Sequence, residues 1–152
     1  MKRLVLLLAL LVVPAVALAQ TFDQDLELLR SDLRAEKVAF ITENMALNDA
    51  DGAKFWPIQR EYQGELSKLE DQRIALIKQY VASSDTMSAK MATDLMGKAF
   101  KLQDQRTTLL KKYADKVSKA VSPKIAMRFV HVESALESLL NLQIRGNLPV
   151  VQ

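Results

Sequence analysis

The sequence predicts an all-α protein of four helices, in which two long antiparallel helices form an elongated hairpin. Three observations carry that expectation. Only 4 Gly and 4 Pro occur in 152 residues, so chain breakers are scarce and long helices are favoured over a strand-rich fold. Phe55, Tyr62, Leu69 and Leu76 recur every seven residues, with Ile58, Leu66, Ile77 and Tyr80 beside them, which makes an apolar stripe on one side of a helix. Arg60, Glu61, Lys68, Glu70 and Lys78 are then left to water. Third, the stripe has a copy. Leu69, Asp71, Gln72, Arg73, Leu76, Lys78 and Tyr80 recur 33 residues later as Leu102, Asp104, Gln105, Arg106, Leu109, Lys111 and Tyr113. A helix with one apolar stripe needs a partner, and the repeat supplies one.

The chain opens MKRLVLLLALLVVPAVALAQ. Lys2 and Arg3 precede an apolar run from Leu4 to Val13, and Ala17-Leu18-Ala19 is a small-x-small cleavage site. Residues 1–19 therefore read as a signal peptide, too short in its apolar run for a membrane span. Cleavage leaves 152 less 19, or 133 residues, enough for a single helical domain over 20–152 with its own core. Without Lys2 and Arg3 the bases fall from 21 to 19 against 18 acids, so the mature charge is +1. That balance gives no reason to expect nucleic acid as a partner. No cysteine occurs, so the exported chain must hold itself by packing, without disulfides or thiol chemistry.

Helix one is expected over 22–47, with Thr21 as cap and Gln24 as its reciprocal partner. Phe22, Leu26, Leu29, Leu33, Phe40 and Ile41 share its apolar side. Asn48 caps helix two, with Asp51 at the third helical position, and the helix runs to about Ala82. Pro57 lies inside it and predicts a bend, or else a separate short helix ending near Phe55 or Trp56. Ser88 caps helix three, Ala89 to Val121, whose apolar side carries Met91, Leu95, Leu102, Leu109, Tyr113 and Val117. Ser122-Pro123 opens helix four, with Ile125, Phe129, Val132, Leu136, Leu139, Leu140 and Ile144 facing inward and Gly146 able to end it. The tail 147–152 is apolar around Pro149 and reads as an extended arm or a frayed end.

At Leu47-Asn48-Asp49-Ala50-Asp51 and Met87-Ser88-Ala89-Lys90-Met91 the chain resembles the Spy/CpxP superfamily of small exported helical proteins, which carry paired Leu-Thr-x-x-Gln motifs at helix starts. The capping residue type is present at both places and the glutamine at neither. Phe55-Trp56-Pro57-Ile58 with Glu61-Tyr62, and Arg128-Phe129 with Glu133, are similar to an uncharacterised branch related to that group. The resemblance covers about 32–152. It implies a periplasmic, homodimeric, curved helical protein that either holds unfolded clients without ATP or damps an envelope sensor kinase.

The residues themselves point away from catalysis. His131 is the sole histidine, no cysteine or Gly-rich phosphate loop occurs, and nothing joins a nucleophile, an oriented base and an oxyanion site. No catalytic residue, cofactor or metal ligand is assigned. His131 and Glu133 diverge on one helix, and Met45, Met87, Met91, Met96 and Met127 read as core filler at helical spacing. Arg73 and Arg106, equivalent in the repeat, read as ion-pairing at a helix crossing with Glu133 or another acid.

The candidate partner-binding residues are Phe55, Trp56, Ile58, Tyr62, Lys112, Lys116 and Lys119. Phe55 and Trp56 are neighbours about 100° apart on a helix, so both cannot enter one seam. At least one is left for a dimer contact or for a client. The lysines complement the end of helix three as solvated charges, or else attract an acidic partner. The sequence thus predicts a non-enzymatic periplasmic envelope-stress protein that binds unfolded clients or a sensor partner. Its expected partners are those proteins and a second copy, with no stable membrane insertion after cleavage. Two alternatives stand beside it: a regulatory subunit of an envelope signalling system, and a metal-responsive sensor or buffer.

Overall fold

The computed structural model describes residues 36–145. The expected signal peptide, residues 22–35 of helix one, the Gly146 stop and the tail 147–152 lie outside the described residues. By internal contacts the chain separates into two units, Met1–Glu43 and Asn44–Gln152. In the first unit the described residues are helical, in a helix, α1, that occupies 36–45, and Thr42 Oγ1 donates to the Val38 carbonyl at 2.8 Å.

The second unit carries the rest of the helical structure. Helix α2 is Asp49–Ser83, a 3₁₀ turn occupies Ser84–Thr86, α3 is Ala89–Ala120 and α4 is Pro123–Arg145. Among the described residues there is no strand. The all-α class and the long two-helix hairpin are as expected.

The three helix starts follow from their caps. The Asn48 side chain accepts from the Asp51 amide at 2.8 Å, and its own amide donates to the Asp51 carboxylate at 2.9 Å. Ser88 accepts from the Met91 amide and Ser122 from the Ile125 amide, both at 3.2 Å. Pro123 is the first residue of α4, where a missing N–H costs no hydrogen bond. The stop of α1 differs from expectation by two residues. The helix ends at Met45 rather than Leu47, and Ala46 takes a positive φ of 42°, the left-handed turn that terminates helices. Arg128 from α4 donates to the Met45 carbonyl at 2.5 Å, so one carbonyl left open by that stop is satisfied.

Pro57 does not divide α2. The helix is continuous through it, with Pro57 on the exposed side. The separate short first helix considered from the sequence is not formed. Solvent can satisfy the carbonyl that proline leaves without a donor, which is why an exposed position tolerates it.

α2 and α3 run antiparallel, with Glu61 opposite Lys116 and Glu65 opposite Lys112. α4 turns back along α3. Its contacts to α2 climb in the same direction on both helices: Phe55 with Phe129, Gln59 with Glu133, Arg73 with Asn141. The unit is thus an up-down-up arrangement. α2 and α4 bring no pair of Cα atoms within 8 Å and meet through long side chains. At 35, 32 and 23 residues the helices are about 52, 48 and 34 Å long. The turn end of the hairpin therefore projects past α4. Leu76, Ile77 and Tyr80 are only half-buried there, although they continue the stripe that buries Phe55, Tyr62 and Leu66 completely.

Candidate functional site

Phe55 and Tyr62, proposed from the sequence as part of a binding surface, are core residues. Both are fully buried, and the reason is the third helix. Phe129 of α4 meets Phe55 and Tyr62 edge-on at ring-centroid distances of 6.0 and 5.2 Å, and Tyr62 meets Tyr113 of α3 at 5.5 Å. Edge-to-face pairs of this kind are each worth about 0.5–1.5 kcal/mol beyond the area they bury. α4 adds a third layer to the hairpin at this level. Of the predicted aromatic group, Trp56 is the ring left half-exposed, packed edge-on to Phe55 at 5.2 Å and lying over Gly52. Ile58 is also half-buried.

The lysines divide. Lys112 pairs with Glu65 and Lys116 with Glu61, each at 2.8 Å, across the α2–α3 crossing. Both ammonium groups also sit over the Tyr113 ring, at 5.1 and 4.6 Å from its centroid. The Tyr113 hydroxyl donates to Glu65 at 2.8 Å. Hydrogen bonds from Lys112 and then Tyr113 hold the Glu65 carboxyl below its ordinary range. The bond to Glu61 raises the Lys116 ammonium, while burial and then Glu65 raise the Tyr113 phenol. Two of the three predicted lysines are therefore paired within the hairpin. Lys119 is exposed, as are Lys111 and Lys124.

The structure also assembles a polar group of which the sequence pointed only to Arg73, Arg106 and Glu133. Glu133, Glu137 and Asn141 stand four residues apart on α4, and that spacing keeps them on one side of the helix. Glu133 is fully buried and accepts from Gln59 at 3.2 Å and Gln63 at 3.4 Å, both from α2. The Tyr62 phenol is pushed up, first by burial and then by the Glu133 charge beside it. Arg106 from α3 pairs with Glu137, and Arg73 from α2 donates to the Asn141 amide oxygen at 2.5 Å. The repeat thus gains a physical meaning, because its two equivalent arginines reach α4 one turn apart. The expected ion pair is formed by Arg106, with Glu137 as the acid, while Glu133 is held by glutamines. Of this polar line the sequence pointed to Glu133 alone, although the four-residue spacing of 133, 137 and 141 is itself a sequence signal that places all three on one side of a helix.

The exposed large apolar residues lie elsewhere. Met96 and Phe100 on α3 are 55% and 66% exposed, and Leu139 and Leu142 on α4 are 53% and 71% exposed. Leu139 was expected to face inward; Ala126 and Glu133 take buried places on α4 in its stead. Met127, read as core filler, is also exposed, whereas Met45 is fully buried. An open groove between α2 and α3 has Leu69 and Leu109 among its lining, with Lys68, Lys101 and Asp104 as charged members. His131 is exposed while Glu133 is buried. Among the described residues no group of three or more His, Cys, Asp or Glu is placed to hold a metal ion, and no helix is long and apolar enough to cross a membrane.

Comparison with protein-family models, with curated proteins and with solved structures finds no match. The class of protein is therefore what the coordinates define: a long helical hairpin, braced over part of its length by a third helix through buried rings and a polar seam.

Proposed function

We propose that this protein is an exported, non-enzymatic binder of other proteins, holding non-native clients in the manner of the envelope-stress proteins it resembles. One observation carries the reading. Four large apolar side chains, Met96, Phe100, Leu139 and Leu142, are more than half exposed on two adjacent helices. Isolated apolar residues on a surface need no explanation, but pairs three or four residues apart on a helix form a face that a partner can cover. The half-exposed Trp56 and Ile58 remain as further contacts from the original set. Export to the periplasm and pairing with a second copy belong to the same proposal.

The test is light scattering of a chemically denatured enzyme diluted into buffer with excess purified protein. Suppressed aggregation is expected, and replacing Phe100 and Leu142 together by serine is expected to abolish most of it without loss of helicity. Unchanged aggregation in the presence of the unsubstituted protein would reject the client-holding reading. The exposed Lys111, Lys119 and Lys124 favour a second reading, in which the partner is the acidic face of one folded sensor protein. A single complex of fixed stoichiometry in envelope extract, weakened by salt, is what that reading expects.

A further inference from the structure

We propose that the open groove between α2 and α3 is a site for a short extended segment of a client, apolar in the middle and acidic at both ends, and that it takes such a segment in either chain direction. The site adds a second contact to the client-holding reading above, on which it rests, and names the class of sequence held there.

The groove has a local twofold axis. The ion pairs set Glu61 against Lys116 and Glu65 against Lys112, so each residue gained along α2 is one lost along α3. Carried on along both helices, that register sets Gln72 level with Gln105. The same two glutamines are equivalent members of the repeat. Repeat and register therefore coincide at this pair, and a half-turn about a line through its midpoint, normal to the hairpin, exchanges the two helices. Leu69 trades with Leu102, Leu76 with Leu109, and Lys68 with Lys101. All six line the groove, as do both glutamines. None of the side chains named above as reaching α4 lines it, so the groove is open with α4 in place.

The lining determines what fits. The apolar part is the four leucines, of which Leu109 is buried and the other three are half-buried. Among the lysines, Lys112 is paired with Glu65 and Lys98 with Asp94. Lys68 and Lys101 are exposed and form no ion pair with a described residue, against Asp104 as the one such acid in the lining. The unpaired charge of the groove is therefore positive, and it suits carboxylates. Lys68 and Lys101 stand one turn to either side of the glutamines on opposite helices, about 12 Å apart along the groove. In an extended chain, residues four apart span about 13 Å and point the same way, with the residue midway between them on the same side. Carboxylates at those two places meet the lysines while the central side chain lies on the leucines.

Direction does not matter, for two reasons. A glutamine amide carries both donor and acceptor, so the central pair serves a backbone N–H or C=O whichever way the segment runs. The lysines exchange places under the half-turn and offer each end the same charge. A matching segment then has two productive orientations instead of one.

The probe is a capped nine-residue peptide of leucine, valine and phenylalanine with glutamate at its third and seventh positions, titrated calorimetrically into the full chain. The peptide of reversed sequence is expected to bind with the same Kd to within about twofold. Lys68→Gln and Lys101→Gln, both at exposed positions, are expected to weaken binding about threefold each. Lysine in place of both glutamates is expected to abolish it. A photoreactive group at the amino end of the peptide is expected to label both ends of the groove, near Lys98 and near Lys112, in comparable amounts. Absence of binding by the glutamate peptide, label at one end alone, or a loss confined to one of the two lysine variants would overturn the proposal. Capture of a denatured enzyme is read separately. If the unsubstituted protein captures none, the client-holding reading fails by its own assay, and the peptide titration still decides the groove.

Discussion

Individual residues in this protein separate into those the fold needs and those it does not. Gly64 and Gly97 belong to the second group. Each sits in the interior of a long helix, on an exposed side, and a Cβ added at either meets nothing within 4 Å. Glycine in an exposed helix interior costs about 1 kcal/mol relative to alanine. Gly64→Ala and Gly97→Ala are therefore each expected to raise stability by about 0.5–1 kcal/mol, read as a higher urea midpoint at unchanged slope. Glu133 belongs to the first group. Glu133→Ala removes the acceptor of two glutamine amides inside the bundle, and an orphaned buried donor costs about 1–3 kcal/mol. The expected result is a loss of that size. Glu133→Gln keeps an acceptor and is expected to recover part of the loss. If alanine and glutamine behaved alike in denaturant titrations, the hydrogen bonds to Gln59 and Gln63 would not be what holds that position.

At the scale of elements, boundaries follow local chemistry closely. Asn48, Ser88 and Ser122 all cap the helices they were expected to cap, because a side-chain oxygen before a helix satisfies an amide wherever the rest of the chain goes. The interior of α2 was harder to read. Proline forbids one hydrogen bond, but whether a helix breaks there depends on what packs on both sides of it. Here Phe55 and Tyr62 bury on the same face before and after Pro57, and their shared contact with Phe129 carries the helix across the missing bond. Pro57→Ala is accordingly expected to stabilise the protein by about 1–3 kcal/mol, restoring that bond with no new clash on an exposed side. A fall in melting temperature would show instead that the proline is required by the native course of the helix.

At the scale of the whole second unit, the ion pairs across the hairpin set its response to pH. The Glu65 carboxyl is held below its ordinary value of 4.5, so its contribution is present above that pH and is lost as pH falls through the lower, folded value. The Lys116 ammonium and the Tyr113 phenol are raised above 10.5 and 10.0, so their contributions are complete below those values and fade as pH climbs through the folded ones. The hairpin crossing is thus fully paired between about pH 5 and 10. The charged groups of both pairs are about half-exposed, although the Tyr113 ring beneath them is buried, so the effect of the pairs is small and salt-sensitive. Glu65→Gln is expected to flatten the acid side of a melting-temperature profile between about pH 3 and 6, by lowering the neutral value slightly and leaving the value at the acid end nearly unchanged. An acid limb identical to that of the unsubstituted protein would place the relevant carboxylates elsewhere.

Much of this architecture was legible in the sequence. The heptad stripe, its copy 33 residues on and the three caps are all local or periodic signals, and such signals survive in one dimension. They determined the all-α class, the hairpin and the helix limits of the second unit to within a residue or two. What the sequence could not decide was which apolar residues end up covered. Phe55, Tyr62 and Phe100 are equally apolar as letters, yet two are sealed and one is open. The difference is the path of α4, whose Phe129 closes over the first two, while Phe100 lies on the other side of α3 from Leu95, Leu102 and Leu109. The same path turned Arg73 and Arg106 from two residues near a stripe into two clamps on one helix. Burial and pairing belong to the space between elements, so only the packing of the third helix against the other two settled them.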